Sequence, residues 1–190
     1  MAKKFIFKIK LKNVTKPLVW RRVEVPCNLS FKKFSDVILQ SMGWMGGHLW
    51  QFLDKTYRGD AIAIPHEDDW NEPIDARKQA LSKTFKTPKQ KMVYIYDFGD
   101  EWVHEIELEE VIDSKEAGSF VRTAKGKCPP EDCGGPIGYM QLKKALANPK
   151  SSEHAAEREW LKLQDGEEWD ATTADVKPGD LVGTEDFDEF

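Results

Sequence analysis

Cys128 and Cys133 lie in the stretch CPPEDCGG, separated by two prolines and two acids and followed by paired glycines. Two thiols so placed could clamp a metal, form a redox couple or pin a loop. Structural zinc takes four ligands and catalytic zinc three plus a water. The chain has no second cysteine pair, so a metal site would have to draw on His104 or His48. Glu131 and Asp132 place negative charge beside the thiols, which opposes the thiolate that redox chemistry needs. Pro129 and Pro130 fix φ while Gly134 and Gly135 permit turns that other residues resist. That stereochemistry favours a rigid connector in which reduced cysteines serve as small apolar fillers.

A second group sits in YDFGDEWVHEIELEEV, Tyr96 to Val111. A histidine on an apolar strand face is desolvated and must find partners for its ring nitrogens, and His104 is in that position. Asp97 and Asp100 flank a turn, where aspartates commonly hydrogen-bond their own backbone. One reading of these residues is a metal-assisted hydrolase or nuclease, with His104, Cys128 and Cys133 as ligands and Asp97 or Asp100 as base or further ligand. The other is a non-enzymatic binding module. Seven Trp and ten Phe are more aromatic bulk than packing needs. Trp20, Arg21, Arg22, His48, Trp50, Trp102 and His104 are expected to line an aromatic and basic groove beside the Cys loop, open to nucleic acid or a protein partner. Dinucleotide, P-loop, nucleophile-elbow and zincin motifs do not occur. No cofactor is expected, and zinc is the metal that the thiols and histidines would suit.

These residues need elements to hold them. Phe5, Phe7, Ile9 and Leu11 alternate with lysines, and Val19 to Val25 repeat the pattern, which predicts an antiparallel strand pair across a turn at Asn13 to Pro17. Ser30 suits an N-cap for a helix with Phe31, Phe34, Ile38 and Met42 on one face, stopped by Gly43. His48 to Leu53 reads as a short strand, 60–72 as an exposed loop with Trp70 its only large ring, and Ala76 to Phe85 as an amphipathic helix. A two-residue turn at Phe98 and Gly99 predicts a hairpin pairing Ile95 with Trp102 and Val93 with His104. Trp102, His104, Ile106 and Leu108 would then face inward. Tyr139 to Ala147 reads as a helix, and Ser152 can cap another with a stripe of Ala156, Trp160 and Leu163.

Strands grouped with helices in this order favour an α+β fold, a mainly antiparallel sheet with helices packed on one side, over a parallel α/β arrangement. The 190 residues suit a single domain, placed at 1–165, with an acidic tail at 166–190, carrying Trp169, Phe187 and Phe190, that is loosely docked or disordered. The net charge of −5 is segregated: ten basic residues against Glu24 alone through Lys33, and nine acids against Lys177 alone from Glu167 onward. Such asymmetry can mark a polyanion-binding face, or the lysines form the solvated side of the first strand. No run reaches the length of a membrane helix, no signal peptide is visible, and three cysteines suit a reducing compartment, so the protein is expected in the cytoplasm.

Four ordered blocks, WRRVEVP (Trp20 to Pro26), MGWMGGHLWQF (Met42 to Phe52), YDFGDEWVHEIELEEV and CPPEDCGGPIGY (Cys128 to Tyr139), make the chain similar to the plasmid open-reading-frame-three-like family named from an Ri plasmid protein. The resemblance implies an α+β domain found on plasmids, on chromosomes and in mobile-element reading frames. Some members carry a resolvase-like label, but no serine-recombinase pattern accompanies it here. Where the family usually has H-x-H, this chain has His48, Leu49 and Trp50.

Overall fold

A computed structural model describes residues 1–67, 71–184 and 187, so Trp70 and Phe190 lie outside the described residues. Alternating apolar and charged residues give β1 (Ala2–Leu11) and β2 (Trp20–Pro26) one apolar face each, and the two pair antiparallel with Phe7 opposite Val23. Helix α1 (Phe31–Met42) follows. The Ser30 hydroxyl accepts from Lys33 N–H, and Gly43, at φ 91°, closes the helix with N–H bonds to the Leu39 and Gln40 carbonyls. Its inward face stacks aromatic on aromatic: Phe34 lies 4.8 Å from Phe7 and Phe31 lies 5.0 Å from Phe52.

The remaining strands are β3 (Trp50–Asp54), β4 (Ile62–Ala63), β5 (Ile74–Asp75), β6 (Lys91–Tyr96), β7 (Trp102–Ser114), β8 (Ser119–Lys125) and β9 (Leu181–Val182). They form one open sheet in the order β5-β4-β3-β6-β7-β1-β2-β8-β9, antiparallel except between β4 and β5. The fold is a single α+β domain of the expected class. Helices α3 (Gly135–Leu146) and α4 (His154–Trp160) complete it, and no helix among the described residues is long and apolar enough to cross a membrane.

Four local expectations are corrected. Within 60–72, expected as an exposed loop, Ile62–Ala63 form β4 and Ile62 is buried. The stretch Ala76 to Phe85 contains only one turn, α2 (Leu81–Thr84), because Ala80 bridges to Ser30 and Asp75 bonds the Arg77 N–H in a turn of its own. The β6–β7 connection has five residues rather than two. Asp97 and Glu101 adopt left-handed φ of 58° and 54°, and Tyr96 pairs with Trp102, Ile95 with Val103 and Tyr94 with His104. This one-residue slip gathers Trp102, His104, Tyr94 and Tyr96 on the core face and sends Ile95 and Val103 to the opposite face. The helix expected behind a Ser152 cap is α4, which has Glu153 at its N-cap with no side-chain cap bond, and its stripe stays uncovered, with no α4 residue buried and Trp160 47% exposed.

Candidate functional site

Strand parity divides the expected groove among three places. Arg21, Trp102 and His104 project from the core face of the sheet and are fully buried. Arg21 donates to the carbonyls of Ser41, Trp20, Lys125 and Gly126 and so staples β2 to the end of α1 and to the loop after β8. Burial lowers its pKa, partly offset by Cys128 nearby. Trp50 is half-buried on the same face, edge-on to Phe52 at 5.6 Å.

His104 lies inward as its strand pattern requires, packed against Trp44 and Tyr94 at 5.4 Å each. Neither ring nitrogen makes a hydrogen bond of good geometry among the described residues. Burial pulls its pKa down to about 4, only partly opposed by the adjacent Tyr94 and Trp102 backbone, so the imidazole is neutral. Trp44 connects this residue to the Cys loop by donating from Nε1 to the Pro129 carbonyl at 2.8 Å. The thiols are free and hard to ionise: burial pushes Cys128 well above the usual thiol range and Cys133 up to about 12. Among the described residues, Cys128, Cys133 and His104 do not bring their ligand atoms together in one cluster. Gly134 and Gly135 take φ of 84° and 65°, and a Cβ at Gly135 would meet the Asp100 carbonyl at 2.5 Å. The loop therefore packs directly on the β6–β7 connection.

Trp20 and Arg22 occupy the opposite face of the sheet. Trp20 is half-buried there, with the Lys8 ammonium 5.3 Å and the Arg22 guanidinium 5.6 Å from its ring. Glu109, the extra residue at the β1–β7 register shift, forms a two-pronged pair with Arg22. Lys91 engages Glu105 and Glu107 at 3.2 and 3.0 Å, while Lys4 and Arg122 engage Glu24. With those acids occupied, Lys8, Lys10 and Lys125 make no ion pair among the described residues. Phe120 completes the surface, with the Lys4 ammonium 4.8 Å from its ring. Phe120 and Lys125 escaped sequence reasoning because β8 was not recognised. The alternation in SFVRTAK, Ser119 to Lys125, was the available signal.

His48, Asp97 and Asp100 gather at the end of the sheet near the β6–β7 loop. Strand β6 separates the strand after His48 from the strand of His104, so the two histidines do not meet. Asp97 Oδ1 accepts from Gly99 and Asp100 N–H, and Asp100 Oδ2 accepts from Gly134 N–H at 3.2 Å. His48 stands between Asp97 and Asp132. The sequence marks Asp132 as a charge beside the thiols in a rigid connector, and nothing in its local spacing signals this long-range approach.

The model of the plasmid pRiA4b ORF-3-like family matches residues 3–178. An uncharacterised protein of Sinorhizobium fredii is 38% identical over 151 residues, covering 78% of this chain and 76% of the relative. The crystal structure of a protein of unknown function from Methanosarcina mazei matches with a TM-score of 0.78 at 26% identity, covering 94% of this chain and 97% of that one.

Proposed function

This chain belongs to the plasmid pRiA4b ORF-3-like family, a family of unknown function, and from that premise we propose a non-enzymatic module that binds single-stranded nucleic acid on the open sheet face. One observation carries the reading: Trp20 stands on that face with Lys8 and Arg22 against its ring, beside Lys10 and Lys125, which make no ion pair among the described residues. Unpaired bases stack on aromatic rings at about 1–3 kcal/mol each, while cations around the ring neutralise the phosphates. A duplex buries those base faces in its own stack, so a shallow sheet surface with a half-buried ring suits single strands. The residues of the hydrolase reading are poorly placed to act on a substrate: His104 is buried and neutral, and the Cys128 thiol is buried beneath the loop.

Fluorescence anisotropy with a labelled oligonucleotide of roughly 15 nucleotides tests the proposal. If Lys8, Lys10 and Lys125 each displace about one counterion, log K falls against log salt with a slope of about −2. Trp20→Ala is expected to weaken binding about tenfold, and Lys8→Glu with Lys10→Glu to weaken it further and flatten the slope. Salt-independent binding, or binding unchanged in a folded Trp20→Ala protein, refutes this function.

A further inference from the structure

We propose that His48, Asp97 and Asp132 form a binding site for a divalent first-row transition ion such as Mn²⁺, Co²⁺ or Zn²⁺. The inference does not rest on the nucleic-acid reading, since these residues lie at the loop end of the sheet and not on its open face. They come from three connections: the one between α1 and β3, the one between β6 and β7, and the one after β8. One ligand atom from each lies within 4.8 Å of the other two. Asp97 Oδ2 is 3.8 Å from His48 Nδ1, and Asp132 Oδ1 is 3.5 Å from His48 Nε2. These separations are too long for good hydrogen bonds. The first is close to the spacing of about 3 to 3.5 Å between ligands that share one ion at about 2.1 Å, while the second runs to the other ring nitrogen, so Asp132 has to shift for all three to meet one ion.

Two of the three groups are positioned in advance. Asp97 spends Oδ1 on the Gly99 and Asp100 N–H groups, which leaves Oδ2 turned to the imidazole. His48 is set edge-on to the Tyr96 ring at 5.7 Å. Asp132 is the adjustable member: its side chain is 75% exposed and can swing toward the ring nitrogen that Asp97 approaches.

The charge around the site is the second argument. Asp97, Asp100, Glu101, Glu131 and Asp132 lie on the two loops that meet at His48, and none of these five carboxylates pairs with a lysine or arginine among the described residues. Glu131 is used structurally, accepting from the Tyr96 hydroxyl and from Met45 N–H. One imidazole and two available carboxylates form a nitrogen–oxygen ligand set that suits these ions and leaves coordination positions open. The competing account leaves His48 bridging two aspartates directly and needs no ion.

Tag-free protein titrated with Mn²⁺, followed by calorimetry and electron paramagnetic resonance, separates the two accounts. A parallel Co²⁺ titration read by visible absorption reports whether sulfur takes part. We expect one ion per chain, no thiolate charge-transfer band, and a higher melting temperature with metal. His48→Gln and Asp132→Asn should each weaken binding at least tenfold. Asp132 is exposed, so its variant keeps the test sound even if His48→Gln loosens the loop. Absence of a saturable site, a thiolate band, or affinity unchanged in Asp132→Asn overturns the proposal.

Discussion

Adjacent residues on one strand can have opposite fates, and Arg21 and Arg22 show it. Arg21 is buried and satisfies backbone carbonyls from three segments, whereas Arg22 is a partly exposed partner of Glu109. Removing the first leaves buried acceptors without donors. Arg21→Met is therefore expected to cost about 3 kcal/mol in urea unfolding, and Arg22→Met less than about 1 kcal/mol. Equal costs would contradict this assignment of faces. His104 yields a pH prediction. Its folded-state pKa of about 4 lies below the ordinary histidine value, so the unfolded chain takes up a proton first as the pH falls. Its contribution is fully present above about pH 6.5 and declines as the pH drops toward 4, by roughly 3 kcal/mol in total. His104→Phe keeps an aromatic ring while removing two buried nitrogens that make no hydrogen bond of good geometry among the described residues. Unfolding midpoints of this variant should fall less than those of the parent between pH 7 and pH 4.5, with little loss at pH 7. Parallel pH curves would show that the imidazole is not the titrating group.

At the scale of elements, legibility followed local periodicity. β1, β2 and α1 could be read because their apolar spacing is uninterrupted and their ends carry a proline, an N-cap serine and a left-handed glycine. The β6–β7 hairpin was legible in kind and face but not in register. Asp97 and Glu101 take left-handed φ without being glycine, and a loop of five residues resembles a two-residue turn when only Phe98 and Gly99 are weighed. The inward placement of Trp102 and His104 survived because parity within β7 does not depend on which residue of β6 lies opposite. Strand β8 was missed since Ser119, Val121 and Thr123 are a weak apolar series. The candidate sites were only partly legible for a related reason. Trp20, Arg22, His48 and Asp97 could each be singled out by type, but their partners Lys125, Phe120 and Asp132 arrive through sheet order and loop packing. Neither is encoded in neighbouring spacing.

At the scale of the molecule, the acidic C-terminal stretch bears on both the open edge of the sheet and the helical layer. β9 pairs with β8 through Ser119 and Val182, and Val182 is 4% exposed. Gln40 of α1 accepts from the N–H groups of Gly183 and Thr184. A Cβ on Gly183 would meet the Val37 side chain at 2.4 Å, so the chain passes α1 very closely. Further back, Trp169 lies edge-on to Tyr139 at 6.2 Å, and Asp175 pairs with Lys127. Cutting the chain after Gly166 would therefore uncover Tyr139 and Val121 and leave β8 as a bare edge. The truncated protein is expected to unfold at a urea midpoint lower by an amount corresponding to a few kcal/mol, because several apolar side chains lose their cover at about 25 cal/mol per Å². It should also self-associate in sedimentation as concentration rises, since an unpaired strand recruits a second copy. A cut chain that stays monomeric with an unchanged midpoint would mean that these contacts contribute nothing to stability. The same cut removes nine acids against Lys177, so tighter binding of the oligonucleotide by a truncated but folded chain would assign the segment an electrostatic role as well.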